Sequence, residues 1–378
     1  MRLVLTALLI VLPLAGQTPV KKKVKPVAEK QIAESPVIAE QRAKAEAGDA
    51  EAQLEMGFAY SSGKDVPKDE AEALKWFRRS ADLGNQWAQA IIGDLYMSGE
   101  DGVPQNASEA IKWYRRAADQ GNEMAQYSLG VCYQFGRGVG KDESEAARWY
   151  LASAEQGNKA AQTKIALMYS LGIGFPQSNT EAAKWYRKAA DQGVAIAQYY
   201  LADAYERGKG IPQDFAEASK WYLKAANQGL AMAQHAMGNC YYNGKGIPQD
   251  YVESVKWYRK ASDQGVTDAQ YNLGTCYDNG QGVPQDYVEA VKWYRKAADQ
   301  GKDLAQNNLG ACYFNGQGVP QNYSEAYVWF SLSATNGNTN AVENRDKTVK
   351  KLTPQALEAA QARARKLYEE IQARVKKP

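Results

Sequence analysis

The chain has 378 residues, with 46 Lys and Arg against 43 Asp and Glu and a formal charge of +3. So even a balance argues against a dedicated nucleic-acid binder, and a single histidine, His235, rules out a histidine metal cluster or a set of repeated histidine bases. No long apolar run follows Leu12, so no membrane span is expected once a leader is removed.

Met1-Arg2 is a short basic start, Leu3 to Leu12 is apolar, and Pro13-Leu14-Ala15-Gly16 offers small residues for cleavage. That run is too short to span a bilayer and long enough for a secretory core, so residues 1–16 are expected to be a signal peptide and the protein periplasmic or secreted. Gln17 stands where a bacterial lipoprotein needs cysteine, which disfavours lipid anchoring. Residues 17–36 carry Lys21, Lys22, Lys23 and Lys25 among Pro and Val with no amphipathic period, and read as a flexible basic linker. A lysine cluster of this kind could touch an anionic surface, although most are simply solvated. Residues 37–51 read as a capping helix, the second half of a partial repeat, ending at Gly48.

From 52 to 340 one unit recurs eight times, its register kept by Trp76, Trp113, Trp149, Trp185, Trp221, Trp257, Trp293 and Trp329. The spacing from Trp113 onward is 36 residues, and the first interval is one longer because of the loop Gly99-Glu100-Asp101-Gly102. A fixed period of this length predicts an all-α solenoid of helix-loop-helix repeats, each burying its apolar face against its neighbours. In the unit that starts at Ala269, the residues Ala269, Leu273, Cys276 and Tyr277 lie on one face of a first helix, with Gly274 beside them for close approach. Gly280 and Gly282 break that helix. Ala290, Trp293, Tyr294, Ala297 and Ala298 make the apolar stripe of the second helix, which Asp286 and Glu289 open as a capping box. The same spacing ends in Glu72, Glu109, Glu145, Glu181, Glu217, Glu253, Glu289 and Glu325, and Gly301 marks the left-handed stop. Truncating a buried Trp in such a core typically costs about 3–5 kcal/mol. Residues 341–378 are expected to form a C-terminal capping helix, with Thr353 as N-cap, Pro354 at its first position and a helix from Gln355 to Ala373.

Cys132, Cys240, Cys276 and Cys312 share one repeat position, filled elsewhere by Ala59, Leu95, Met168 and Ala204, which marks it as an apolar packing site. Adjacent repeats place such positions roughly 8–10 Å apart, beyond the Cα reach of a disulfide, near 7 Å. Buried free thiols are expected, with no metal and no cofactor.

The pattern Ala-Gln-x-x-Leu-Gly-x-x-Tyr-x-x-Gly-x-Gly-Val-Pro-Gln-Asp, followed by Glu-Ala-x-Lys-Trp-Tyr-Arg-Lys-Ala-Ala-Asp-Gln-Gly, closely resembles the Sel-1-like repeat family over about 52–340. The resemblance implies a right-handed α/α superhelix related to tetratricopeptide repeats, acting as a non-catalytic protein-interaction adaptor of bacterial envelopes or host contact. A cysteine-rich Helicobacter subgroup carries a link to β-lactam binding or hydrolysis, but pairs two cysteines in each repeat, and here no repeat has a second one.

Catalysis is the competing hypothesis. Ser61-Ser62-Gly63-Lys64 matches a Ser-x-x-Lys motif in letters, yet it straddles a helix end and a glycine loop, and no Lys-Thr-Gly or Ser-Asp-Asn accompanies it. A catalytic triad would have to use His235. The carboxylates Asp203 and Glu206 are read as ordinary helix-surface acids, and the recurrent Gly-x-Gly feeds a helix, which excludes a phosphate loop.

Partner binding is expected on the third, seventh and tenth positions of the first helices, which packing leaves free. In repeats five to eight these are Tyr199, Asp203 and Glu206; His235, Asn239 and Tyr242; Tyr271, Thr275 and Asp278; and Asn307, Ala311 and Phe314. Were first helices to line a concave side, as in similar solenoids, these would make a groove for an extended peptide or a cell-wall glycan such as peptidoglycan. Its aromatics would offer contact area at low entropic cost. A merely solvated face is the bland alternative.

Overall fold

The structure, a computed structural model, describes residues 35–375. The expected signal peptide and all but the end of the expected linker lie outside the described residues. Among the described residues there are nineteen α-helices and no strand. They run α1 (Pro36–Glu46), α2 (Ala50–Ser62), α3 (Glu70–Asp82), α4 (Gln86–Ser98), α5 (Ala107–Asp119), α6 (Glu123–Phe135), α7 (Glu143–Glu155) and α8 (Lys159–Leu171). Next come α9 (Asn179–Asp191), α10 (Ala195–Arg207), α11 (Phe215–Asn227), α12 (Ala231–Asn243), α13 (Tyr251–Asp263) and α14 (Thr267–Asn279). The last are α15 (Tyr287–Asp299), α16 (Asp303–Asn315), α17 (Tyr323–Thr335), α18 (Thr339–Val349) and α19 (Pro354–Val375).

The chain divides into two units at Ser80 and Ala81. In the first, Ile38 and Ala45 of α1 pack with Ala52 and Met56 of α2 and with Trp76 of α3. Ser35 and Pro36, counted above with the linker, start α1: the Ser35 hydroxyl accepts from Ile38 N–H at 3.3 Å. In the second unit each first helix packs on the second helix of its own repeat, and that helix packs on the next first helix, from α4 to α18. After the eighth repeat the chain makes two helices, α18 and α19, where the sequence pattern pointed to one; α19 returns to pack on α17.

Three devices recur along the repeats. The first is an interlock between the two helices of a repeat. Tyr294 is fully buried across Gly274, where an added Cβ would stand 2.7 Å from the ring. The same geometry joins Gly93 to Tyr114, Gly130 to Tyr150 and Gly238 to Tyr258. The second is the loop. Gly280 ends α14 at φ +68°, and Gly282, at φ +73°, lies so close to the preceding repeat that a Cβ would sit 2.1 Å from the Tyr251 carbonyl oxygen. The Gly-x-Gly therefore does more than end a helix: its second member lets one repeat touch the next.

The third device is a buried row of amides. Gln270 is buried, its side-chain N–H donates to Ser262 O at 3.3 Å, and its Oε1 accepts from Gln300 at 2.8 Å. Gln126, Gln162, Gln198, Gln234 and Gln306 repeat the pattern. A buried amide must find its partners inside the protein, and here each one ties the end of one helix pair to the end of the next.

The capping box needs correction. Asp286 caps α15, accepting from Val288 N–H and Glu289 N–H. The reciprocal bond from Glu289 is not made, because the Asp286 N–H already donates to Tyr277 O at 2.9 Å. Glu289 turns outward to Lys292 instead, at 2.9 Å. The N-cap residue thus closes the intra-repeat loop, and the acid becomes a surface ion pair of small energetic weight.

Trp293 and Trp329 are buried, as are Trp76, Trp149, Trp185, Trp221 and Trp257, while Trp113 is half-buried. Cations cover several indoles: Lys188, Lys224, Lys260 and Lys296 lie 3.9, 3.8, 4.0 and 4.0 Å from the ring centres of Trp185, Trp221, Trp257 and Trp293. The four cysteines are buried and free. Burial pushes the Cys276 thiol up to about 12, which keeps it protonated and unreactive at neutral pH.

Candidate functional site

The twelve expected positions fall on α10, α12, α14 and α16, one helix per repeat, and all are half-buried. Packing does not leave them free, contrary to expectation. In repeats five to seven a buried second-helix tyrosine brings its hydroxyl out among them, while the eighth repeat, like the first, carries phenylalanine there, Phe330 and Phe77. Tyr222 Oη donates to Glu206 at 2.8 Å, Tyr258 Oη to Asn239 at 2.7 Å and Tyr294 Oη to Asp278 at 3.0 Å. In earlier repeats Tyr114 reaches Asp94 and Tyr150 reaches Gln134, at 2.7 and 2.8 Å. Tyrosine burial without such an acceptor leaves a polar group unsatisfied, so the seventh or tenth position must supply an oxygen. Burial, followed by the Glu206 charge, holds the Tyr222 hydroxyl far above its ordinary range and keeps it a donor.

The remaining members form three clusters. In the fifth repeat Tyr199 packs against Tyr200 and Tyr222, with ring centres 5.4 and 5.5 Å apart, and Asp203 pairs with Arg207. Burial, with Asp203 nearby, pushes the Tyr199 hydroxyl up to about 12. Between the sixth and seventh repeats, His235 Nε2 faces the side-chain amides of Asn272 at 3.1 Å and Asn239 at 3.4 Å. Asn272 also donates to Asn239 at 3.3 Å. Desolvation lowers the His235 pKa, with Asp268 opposing and Lys302 reinforcing. Tyr242 Oη donates to Gln281 at 2.7 Å, and its ring lies edge-on to Tyr251 at 5.2 Å. In the last two repeats Tyr271 rests on Tyr294 at 6.0 Å, Thr275 back-bonds to Tyr271 O, Asn307 accepts from Asn344 at 3.1 Å, and Phe314 meets Tyr323 edge-on at 5.2 Å. Ala311 adds no polar contact.

Tyr251, Asn272, Gln281, Tyr323 and Asn344 thus belong to this surface and were missed. Comparing one position across repeats finds the variable columns, but not the neighbours that other columns bring in. A sign of Asn272 was present: Asn recurs at 272, 308 and 344, one repeat apart.

Nothing in these clusters joins a nucleophile to a base. His235 faces amides, and the Ser61 hydroxyl points back to Phe58 O at 3.4 Å. Gly63 takes a left-handed turn at φ +70° between the serines and Lys64, so the motif is spread over a helix C-terminus. Among the described residues no group of His, Cys, Asp and Glu could hold a metal ion, and no helix is long and apolar enough to cross a membrane.

The Sel1 repeat model matches residues 50–85, 88–122, 123–158, 159–194, 195–230, 231–266, 267–302 and 303–338. Among solved structures, a Sel1 repeat protein from Oxalobacter formigenes is 34% identical, with a TM-score of 0.58, over 86% of this chain and 96% of that one. A second, c5321, described as a protective antigen present in uropathogenic Escherichia coli strains displaying an SLR fold, is 30% identical with a TM-score of 0.57, over 89% of this chain and 96% of its own. No curated protein matches the chain.

Proposed function

Since the chain belongs to the Sel1 repeat family, whose members are generally protein-interaction scaffolds, we propose that it is a non-catalytic adaptor of the bacterial envelope or the secreted space. In this reading it holds a protein or peptide partner on the first-helix face of repeats five to eight. The observation that carries the proposal is the run of half-buried rings on that face, Tyr199, Tyr242, Tyr271 and Phe314, each set against a second aromatic. Rings already ordered by their neighbours lose little freedom when a partner covers them. Glu206, Asn239 and Asp278 between them are tied to tyrosine hydroxyls and serve as frame more than as contact. The leader-like pattern of residues 1–16 supports the envelope or secreted location.

The test is capture by crosslinking from native extract with the full chain and with Tyr242→Ala and Tyr271→Ala. Both variants should lose the partner while the melting temperature holds. If both retain it, the face assignment is wrong. Co-sedimentation with peptidoglycan that survives both substitutions would point to glycan binding elsewhere on the chain. Nitrocefin turnover abolished by Ser61→Ala would overturn the non-catalytic reading. The location is checked by fractionation and by the N-terminal residue of the mature protein.

A further inference from the structure

Five places in the chain join an asparagine or an aspartate to glycine: Asp101-Gly102, Asn243-Gly244, Asn279-Gly280, Asn315-Gly316 and Asn336-Gly337. Such pairs share a chemical weakness. The glycine nitrogen can attack the side-chain carbonyl carbon one residue back, because no Cβ on the glycine hinders the approach. The fold treats the five differently.

The four asparagines end helices. Asn243, Asn279 and Asn315 are the last residues of α12, α14 and α16, and the glycine N–H after each donates to Cys240 O, Cys276 O and Cys312 O. Asn336 caps α17, and the Gly337 N–H donates to Ala334 O at 3.0 Å. Three of the four side-chain amides are held as well: Asn243 donates to Asn239 O at 2.9 Å, Asn315 to Gln317 at 3.3 Å and Asn336 to Gln306 at 3.1 Å. Each glycine nitrogen must leave its helical bond before it can turn on the side chain.

Asp101-Gly102 lies in the loop between α4 and α5, the one with an extra residue. Both residues are exposed, at φ +52° and +77°. Among the described residues neither the Asp101 carboxyl group nor the Gly102 N–H has a hydrogen-bond partner; the turn is closed by Val103 N–H, which donates to Glu100 O at 3.0 Å. A Cβ built on Gly102 would meet nothing within 4 Å. Beyond it the chain is fixed again, by buried Val103 and by Asn106 N–H donating to Tyr96 O at 2.8 Å. Asp65 also takes a positive φ, +65°, but Val66 follows it, and a branched, buried side chain crowds that nitrogen.

We propose that Asp101 is a site of spontaneous backbone isomerisation in the folded chain, and that the four Asn-Gly pairs are shielded from the same chemistry until their helix ends open. The Gly102 nitrogen bonds to Asp101 Cγ, its proton passes to solvent, and the carboxyl hydroxyl leaves as water, which closes a five-membered succinimide. Water then opens the ring. Cleavage of the Cγ–N bond restores aspartate; cleavage at the main-chain carbonyl leaves the peptide running through Cγ as isoaspartate. One water leaves and one returns, so no other reactant is needed. The product adds a methylene to the main chain in an exposed stretch that tolerates added length. The inference does not depend on the first-helix face.

The test incubates the full chain in warm, mildly acidic buffer beside the synthetic peptide Ser-Gly-Glu-Asp-Gly-Val-Pro, and locates isoaspartate after digestion by electron-transfer fragmentation. Isoaspartate should accumulate at residue 101 at a rate within about threefold of the peptide's, as expected where no local opening is required. Asp101→Asn makes the comparison direct, since all five sites then carry the same dipeptide and asparagine tolerates the left-handed region. In the folded variant position 101 should deamidate at least about tenfold faster than Asn243, Asn279, Asn315 and Asn336, which must first break a helical bond. In urea the five should react alike. No isoaspartate at residue 101 of the wild-type chain once the peptide has converted, or equal deamidation of the five sites in the folded variant, overturns the proposal. So does a lead for position 101 that persists undiminished in urea, which would assign it to the local sequence and not to the fold.

Discussion

Each first helix carries two strips that contrast in sequence and in burial. On α14 one strip is Ala269, Gln270, Leu273 and Gly274, all buried, and α16 repeats it letter for letter as Ala305, Gln306, Leu309 and Gly310. The other is Tyr271, Thr275 and Asp278, half-buried, against Asn307, Ala311 and Phe314 one repeat on. The constant strip meets rigid partners, an aromatic ring and a backbone carbonyl, which admit only a small residue or a glutamine at their positions. Where the second helix carries tyrosine, the variable strip meets its hydroxyl, which donates to Glu, Asp, Asn or Gln alike, and beside Ala311 and Phe314 the second helix carries Phe330, which asks for no oxygen. Freedom to vary is thus limited by chemistry even where the surface is open.

The contrast is broken most severely by truncating the ring that links the strips. Tyr294→Ala removes a fully buried side chain and frees Asp278, and should cost about 3–5 kcal/mol. Tyr271→Ala, half-buried, should cost no more than about 1 kcal/mol. Thermal melts followed by helical circular dichroism compare them; equal losses would show that the two strips are not distinct.

Glycine separates the two seams. Gly282→Ala places a Cβ against a backbone oxygen at a positive φ and should destabilise by about 1–3 kcal/mol. Gly274→Ala meets the Tyr294 ring at 2.7 Å and the Ala290 carbonyl oxygen only at 3.3 Å, and repeats four and five already carry Ala166 and Ala202 there, each buried. It should cost less than the loop substitution. A reversed order in urea melts would mean that the intra-repeat interlock is the tighter seam.

The amide row comes next. Gln270→Leu keeps the volume but removes its bonds to the Ser262 carbonyl, which still accepts from Gly265 N–H, and to exposed Gln300, and a loss of about 0.5–1.5 kcal/mol follows. A neutral result would show that water or Gln300 alone meets those groups.

The solenoid was legible because its signals are local: the tryptophan register, the Asp286 cap and the Gly280 stop each act within a few residues. The amide row was not, because the partner of Gln270 lies thirty positions away in sequence and a buried glutamine looks like a surface one until that partner is known. The capping box failed for the same reason, since the Asp286 N–H is claimed by Tyr277 across the loop. Of the candidate surface, the columns were readable from the differences between repeats. The tyrosine hydroxyls that occupy Glu206, Asn239 and Asp278 were not, because they arrive from the second helix.

The smallest expected effect lies at His235, where the variable strip is tied down without a tyrosine of its own column. Nε2 accepts from Asn272 at 3.1 Å and Asn239 at 3.4 Å, and the ring faces Tyr258, with Asp268 and Lys302 acting from farther off. A proton on Nε2 would confront two amide donors, and Asn239 cannot simply flip because its oxygen holds Tyr258. Desolvation lowers the folded pKa below the ordinary 6.5. The unfolded chain therefore takes up a proton first as pH falls. The contribution to stability is complete above pH 6.5, shrinks as pH drops from there, and is gone once the pH has passed the folded pKa. His235→Asn removes this slope, so wild type and variant should converge in melting temperature as the solution is acidified, and differ most above pH 6.5. Parallel curves across the acidic range would show that the histidine is as well solvated folded as unfolded, and that this part of the face is an open surface.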